Sequence, residues 1–562
     1  MDHWNHHGIG PGVGLASLLL LAGCGAEGNT ADGASHEALD WPALTRQEFD
    51  GPPPAWEVHN AEAPITSQCY TRTEGEYNPC YTCHQSYPHG SRPNAMNDGY
   101  LQGEYDFSDV GLTNHWDNLF VDRRDAVAAI PDEAVIEYIH EDNYRPFRQA
   151  YEAGETDWDG YFPVIEDLAS GADAFDDQGF ARDGSGWVAF NYKPLPSTFW
   201  PTNGSTDDVM IRLAEPFRTA RDCSGIGTNA SRDVYLANLA LAEMAIKGLD
   251  RVDSPLINEA AVCVDLDGDG DVRGTATEVR WRDHYVGGAH DVATARQLYP
   301  AGTEFLHTVR YVGVNEDGEI YNAPRMKEVR YMRKHRFYDP ADLRAMYGNE
   351  HQEKIDGNLP RYHPVEGGGL NNGFGWQVLG FIEDAGGELR PQTHEEQKFC
   401  MGCHTTIGTT IDQTFAFGRK VTGAEGWGYI DTRGMADAPS IAGDEGEILQ
   451  YLRRVGGGDE FRENEEMRAR WFDDDGNVLE EKVRAADVHE LITPSRERAL
   501  ALNKAYWLIT KAQSFVHGRD ATIAPAANVY REIPADTPPL EPEHRYLGPD
   551  AWDLRLDWSV VD

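Results

Sequence analysis

The stretch Lys398-Phe399-Cys400-Met401-Gly402-Cys403-His404 contains a Cys-x-x-Cys-His motif, and the sequence predicts that the fold is organised around it. The same pattern occurs far upstream, at Cys80-Tyr81-Thr82-Cys83-His84. Cysteines at this spacing can add to the two vinyl groups of one porphyrin, and the next imidazole can reach the iron. Only eight of the 562 residues are cysteines, so two chance occurrences are improbable. We therefore expect two covalently bound haem c groups.

The two motif histidines, His84 and His404, are the expected proximal iron ligands. Thr393-His394-Glu395-Glu396 has the Thr-x-x-Glu pattern of a capping box and predicts a helix start before Cys400. Asn78 and Pro79 suit the first positions of a short helix at the other motif. Each motif is therefore expected on a short helix.

The second axial position of the first haem has two candidates downstream of His84, namely Met96 and His115. A methionine would raise the reduction potential, a second histidine would lower it, and an open position would admit a small ligand. The sequence leaves these alternatives open.

The two motifs resemble those of bacterial dihaem c-type cytochromes and, more loosely, those of dihaem cytochrome c peroxidases and related oxygenases. The first resemblance implies an electron carrier between redox proteins. The second implies an enzyme that keeps one haem open to peroxide or oxygen, so enzymatic activity stays an open alternative. In small class I cytochromes a methionine well after the motif caps the iron. Met435 holds that place here and is the candidate distal ligand of the second haem.

The N-terminal segment is predicted to be an export signal. An apolar run at 13–21 is too short to span a bilayer. It leads into Leu21-Ala22-Gly23-Cys24, which resembles the lipobox of bacterial lipoproteins. The resemblance implies cleavage before Cys24, lipid attachment to its thiol, and anchoring in the cell envelope, with the outer membrane favoured and the protein facing the periplasm or the cell surface. The first ten residues lack Lys and Arg, which departs from the usual signal.

The chain is strongly acidic, with 94 Asp and Glu against 49 Lys and Arg and a formal net charge of −45. Contact with phosphates requires Lys and Arg, so we expect no nucleic-acid partner. The expected partners are the membrane, through the lipid, and a redox protein that the sequence does not identify.

An acidic stretch begins like a calcium-binding loop. Alternating Asp265, Asp267, Asp269 and Asp271 offer hard oxygen ligands. Ala276 stands where an EF-hand has its glutamate, and the flanking residues are typical of strands. The prediction is a structural calcium site outside a true EF-hand, and an acidic hairpin turn without an ion is the alternative.

Three cysteines remain after the haem and lipid assignments: Cys69, Cys223 and Cys263. In an oxidising compartment two of them are expected to form a disulfide. Cys223 with Cys263 is the favoured pair, and Cys69 with Cys223 is the main rival.

The fold class predicted from these patterns is mixed α+β and multidomain. It has helical, cytochrome c-like haem regions in the N-terminal and C-terminal parts and a strand-rich region between them. Helices are expected at 231–247, 443–455 and 495–517, and strands at 187–192 and 302–340. The predicted divisions are a signal peptide (1–23), a flexible tether (24–48), an N-terminal haem region (49–150), the strand-rich region with the calcium loop (151–340) and a C-terminal haem domain (341–562).

Overall fold

The computed structural model covers the whole chain, and its placement of most residues is described below. The described residues are 39, 59–62, 64–85, 102–103, 105, 107–197, 200–221, 223, 229–441, 443–456, 464–546 and 555–561.

Antiparallel strands form the core of the fold. In chain order, the strands of the described residues are β1 (Val188–Ala189), β2 (Thr206–Arg212), β3 (Thr219–Ala220), β4 (Asn229–Ala230), β5 (Arg251–Asn258), β6 (Thr275–Arg280), β7 (Glu304–Val314), β8 (Ile320–Lys334), β9 (His363–Pro364), β10 (Leu370–Asn371), β11 (Trp376–Glu383) and β12 (Leu389–Pro391). Eight of them form one sheet in the order β1-β2-β7-β8-β11-β10-β9, with β12 also paired to β11. Two small sheets pair β3 with β4 and β5 with β6.

Short helices surround this sheet. In chain order they are α1 (Arg124–Ala129), α2 (Asp132–His140), α3 (Tyr144–Ala153), α4 (Arg232–Lys247), α5 (Glu259–Val262), α6 (Pro340–Ile355), α7 (His394–Lys398), α8 (Glu447–Val455), α9 (Glu465–Trp471), α10 (Glu480–Ala485), α11 (Val488–Ile492) and α12 (Arg496–Ala512). None of the helices in the described part of the chain combines the length and the hydrophobicity that a membrane crossing needs.

Two of the longer helices cover the sheet. Helix α4 begins where the Ser231 hydroxyl accepts a hydrogen bond from the backbone of Val234, and it ends at Gly248, whose φ is +68°. Helix α12 packs on β7, where the Asn503 side chain bonds both backbone groups of Val312. It ends at Ala512 because Gln513 turns to a φ of 51°, so the predicted helix to residue 517 is too long.

The predicted cytochrome c-like helical regions are wrong. Around the motifs the described residues form only the five-residue α7 and two 3₁₀ turns, Cys80–Thr82 and Phe399–Gly402. The spacing of a Cys-x-x-Cys-His motif requires one turn of chain, which a tertiary scaffold can hold without a long helix. The expected strand-rich region is partly right, because β7 and β8 are its central strands. The sheet nevertheless continues through β11 and β12 into the part expected to be a haem domain.

Candidate functional site

The second motif follows directly from the central sheet. Strand β12 leads into α7, where the predicted capping box is present: the Thr393 hydroxyl accepts from the Glu396 backbone, and the Glu396 carboxylate accepts from the Thr393 backbone. Arg390 forms an ion pair with Glu396 at 2.8 Å and holds the box against the strand. Helix α7 therefore has a fixed start, and Cys400 comes immediately after its end.

The motif itself closes into a single turn. The backbone amides of Cys403 and His404 both donate to the carbonyl of Cys400, at 3.2 and 2.9 Å. Both thiols therefore project from one turn. Between them, Met401 is fully buried in the main hydrophobic cluster.

The imidazole of His404 is oriented by a hydrogen bond from one of its nitrogens to the backbone. Its Nδ1 lies 2.9 Å from the carbonyl oxygen of Gln413. A hydrogen bond from Nδ1 to a carbonyl leaves Nε2 as the available ligand atom. Burial lowers the pKa of this imidazole to about 4, so the ring is neutral at physiological pH. A neutral, oriented imidazole is the form in which histidine coordinates a metal.

Two arginines flank the second motif. Arg330, on β8, and Arg519 both bond to the carboxylate of Glu328, at 3.0 and 2.7 Å. The Arg519 guanidinium also lies 4.5 Å from the ring centroid of Phe399, next to Cys400. Arg330, Arg519 and Glu328 together place one net positive charge beside Cys400.

The first motif is held by a different set of contacts. Its turn also places the amides of Cys83 and His84 on the carbonyl of Cys80, at 3.1 and 2.8 Å. The Asn78 side chain accepts from the Tyr81 amide at 3.0 Å, which caps the turn as predicted. The C-terminal tail supplies the rest, because the Asn78 amide donates to the His544 carbonyl at 2.5 Å.

The fold brings the two motifs together although Cys80 and Cys400 are 320 residues apart in sequence. The amide of Thr409, just after the second motif, donates to the carbonyl of Cys83 at 3.1 Å. Cys69 lies between the motifs: it is hydrogen-bonded to His84, and its charge acts on Cys403. Burial raises the pKa of the Cys69 thiol, but the hydrogen bond and charge of His84 bring it below the ordinary value.

The motif thiols are partly buried. Burial raises the pKa of Cys400, and it raises the pKa of Cys403 to about 12. Both side chains retain some accessible surface, as do Cys80 and Cys83. Two thiols on one turn and an oriented imidazole are a donor set that fits one haem.

The candidate distal ligands are placed unevenly. His115, predicted as a ligand at the first motif, lies near the second, because the adjacent Trp116 contacts Phe399 with ring centroids 4.4 Å apart. Met435 packs in a cluster with Trp200, whereas Met401 and Cys400 belong to another cluster. Met96 lies outside the described residues.

The acidic loop gains a residue that the sequence pattern did not include. Ligand atoms of Glu259, Asp265 and Asp267 lie within 4.8 Å of one another. Glu259 comes from α5, before the loop, and supplies the carboxylate missing at Ala276. Within the loop, carboxylates of Asp265, Asp267, Asp269 and Asp271 accept backbone amides. The structure thus does not gather all four aspartates around one point.

Of the remaining cysteines, Cys223 and Cys263 form a disulfide, which is the pair that the sequence favoured. Cys69 is left as a thiol beside His84. Cys24 and the predicted signal peptide lie outside the described residues.

Comparison with known proteins gives a family match. A family model whose description reads ":-like lipoprotein" matches residues 54–487. The chain is also 31% identical over 565 residues to an uncharacterized lipoprotein of Aquifex aeolicus (strain VF5), with 90% of each chain covered. No solved structure matches.

These matches correct the family expected from the motifs. The matching family is one of lipoproteins, so the resemblance to dihaem c-type cytochromes and dihaem cytochrome c peroxidases is wrong as a family assignment. Ten motif residues were too few to identify a family, because the motif specifies a local chemistry that unrelated folds can carry.

Proposed function

The chain belongs to this lipoprotein family, and we propose that it transfers electrons in the cell envelope through two haem groups held by Cys80 and Cys83 and by Cys400 and Cys403. As a family member it is an exported protein that a lipid anchors to the envelope. The observation that carries the proposal is that the fold brings together two Cys-x-x-Cys-His turns that are distant in sequence, with Thr409, after the second motif, donating to Cys83 of the first.

The chain's own residues prepare each site for a metal-bearing ring. Two thiols on one turn fix the ring at two points, and His404 presents Nε2 because Gln413 holds Nδ1. When bound, haem supplies a one-electron iron couple. The positive charge of Arg330 and Arg519 suits pairing with the ring's carboxylates. Burial around His404 holds the imidazole neutral, which is the form that ligates a metal.

The contact between the motifs supports transfer from one site to the other. Cys69 is hydrogen-bonded to His84 and lies close enough to Cys403 to raise the pKa of that thiol, and the Thr409 amide donates to the Cys83 carbonyl. Electron transfer also requires no substrate pocket, which distinguishes this proposal from catalysis.

The test is haem content after removal of either cysteine pair. The full-length chain, produced in a host that attaches haem c, is expected to contain two haems by pyridine haemochrome assay and intact mass. C80S/C83S and C400S/C403S should each retain one. The matched control is C223S/C263S, which removes the disulfide pair and should retain two. Haem-free wild-type protein, or variants that keep both haems, would contradict the proposal.

A peroxidase or oxygenase with one open haem position is the second candidate. The packing of Met435 away from the cluster that holds Met401 favours it, because the expected sulfur ligand is not beside the second motif. Electronic and EPR spectra distinguish the two functions. Two low-spin haems that do not bind carbon monoxide support the carrier, and a high-spin haem that binds it supports the enzyme.

We also propose that the lipid is attached at Cys24. C24S should release the protein from membranes, and fractionation of the envelope should find the wild type in the outer membrane.

A third proposal is that the acidic loop holds calcium, with Glu259 as an added ligand. Calcium should raise the thermal midpoint of the wild type but not that of Glu259→Gln, with Glu388→Gln as the exposed control. An unchanged midpoint at millimolar calcium would remove the calcium site.

A further inference from the structure

Three histidines and one aspartate meet outside the proposed haem sites. The residues are His59, His115, Asp117 and His517, which come from three segments of the chain. His59 Nε2 lies 3.4 Å from Asp117 Oδ2, and His517 Nδ1 lies 3.0 Å from the same oxygen. Ligand atoms of His59, Asp117 and His517 all fall within 4.8 Å of one another. The carboxylate therefore stands at the centre of the cluster.

His115 extends the cluster by one ring. Its ring centroid is 5.5 Å from that of His59, in an edge-on arrangement, and the rings of His59 and His517 are 4.2 Å apart. The His115 Nε2 is buried and has no hydrogen-bond partner, while the backbone of Val110 takes its other nitrogen. Likewise, His59 bonds to the backbone of His115.

This pattern of contacts is typical of metal-binding histidines. A ligating imidazole usually donates its second nitrogen to a carbonyl or carboxylate, which fixes the ring and leaves the other nitrogen for the metal. Tetrahedral bonds of about 2.0–2.1 Å place neighbouring ligand atoms about 3.3 Å apart. The separations of 3.0 and 3.4 Å around Asp117 Oδ2 match that spacing. Without a metal ion, the neighbouring imidazoles of His59, His115 and His517 would repel one another once they are protonated.

We propose that His59, Asp117 and His517 bind one divalent transition-metal ion of the zinc type, with His115 packed beside His59. Imidazole nitrogens favour zinc, iron, copper and nickel, whereas calcium and magnesium prefer an all-oxygen shell. Because its ligands come from three distant segments, the ion also ties residue 59 and residue 517 to the loop at 115–117.

The site lies against the helix that leads into the second motif. The amide of Asn60 donates to the Glu395 carboxylate on α7 at 2.8 Å, and Trp116 contacts Phe399. Metal binding would therefore order the support of α7 without using any residue of the Cys-x-x-Cys-His motifs. The inference is independent of the proposed haem function, since its ligands and its readouts are separate.

The test measures zinc in the full-length protein as it is isolated, whatever its haem content. After chelation and addition of Zn²⁺, the wild type should hold one zinc per chain by mass spectrometry of the elements, and its thermal midpoint should rise. H59Q/H517Q should bind zinc at least about 10-fold more weakly, with haem content unchanged. H363Q, which alters an exposed histidine of β9, is the matched control and should bind as the wild type does.

A measurement on the wild type alone guards against variants that do not fold. X-ray absorption at the zinc edge should show nitrogen and oxygen neighbours at about 2.0–2.1 Å and no sulfur, which would also exclude binding at Cys69. Absence of stoichiometric zinc, or a sulfur shell, would overturn the proposal. It would also be overturned if H59Q/H517Q changed the haem spin state, because one of these histidines would then be a haem ligand.

Discussion

The two Cys-x-x-Cys-His turns have the same pattern but different supports. The second follows a sheet strand and a capped helix, and its intervening residues, Met401 and Gly402, face the core and a neighbouring backbone. The first has Tyr81 and Thr82 at those positions, and Tyr81 lies under the guanidinium of Arg454, 3.8 Å from its ring centroid. The comparison teaches that one and the same motif turn can be supported by a sheet or by loops and the C-terminal segment.

The largest effect is expected at Gly402, within the second motif. A Cβ added at Gly402 would lie 2.2 Å from the carbonyl oxygen of Pro64, and a backbone oxygen cannot move aside easily. We expect Gly402→Ala to destabilise the fold by about 3 kcal/mol and to reduce haem at the second motif. Chemical denaturation and peptide mapping would measure both quantities.

The matched control adds the same methyl group where there is room. Gly348 lies within α6, and an added Cβ there meets nothing within 4 Å. Gly348→Ala should be neutral or stabilise by roughly 0.5–1 kcal/mol, since alanine favours helix more than glycine. Equal destabilisation by both changes would contradict the close approach at Gly402.

An intermediate effect is expected at the first motif. Asn78→Ala removes the cap on the Tyr81 amide and the bonds to Gln102 and to the C-terminal tail, leaving buried groups unsatisfied. The expected cost is about 2 kcal/mol, with haem lost at Cys80 and Cys83 but not at the other pair. Site-resolved haem occupancy measures it, and Asn358→Ala is an exposed control. Loss at both motifs alike would show that the supports are not separate.

The smallest effect is expected at the start of α7. Thr393→Ala removes a capping hydroxyl and should cost about 1 kcal/mol, while Thr393→Ser keeps the hydroxyl and should cost little. Thermal unfolding of the two variants would measure the difference. If serine were as destabilising as alanine, the methyl group and not the cap would be the stabilising feature.

The sequence predicted local features better than architecture. The capping box at Thr393 and the helix from Arg232 to Lys247 are present, because caps and helical spacing act over a few residues. The cytochrome-like helices are absent from the described residues, and the first motif turn is stabilised through Asn78 by a distant partner, the carbonyl of His544. Glu259 was missed for the same reason: it precedes the acidic loop and reaches it only through the fold.

By itself the sequence determined the chemistry available at each motif, because two thiols and an imidazole within five residues are fixed by covalent spacing. Only the tertiary structure decided which other residues lie beside the two motifs. Cys69 lies close enough to Cys403 to raise the pKa of that thiol, and His59 and Asp117 meet His517; both arrangements bring together segments more than 300 residues apart. Such contacts depend on how the sheet and the chain ends pack, which no local pattern of residue types records.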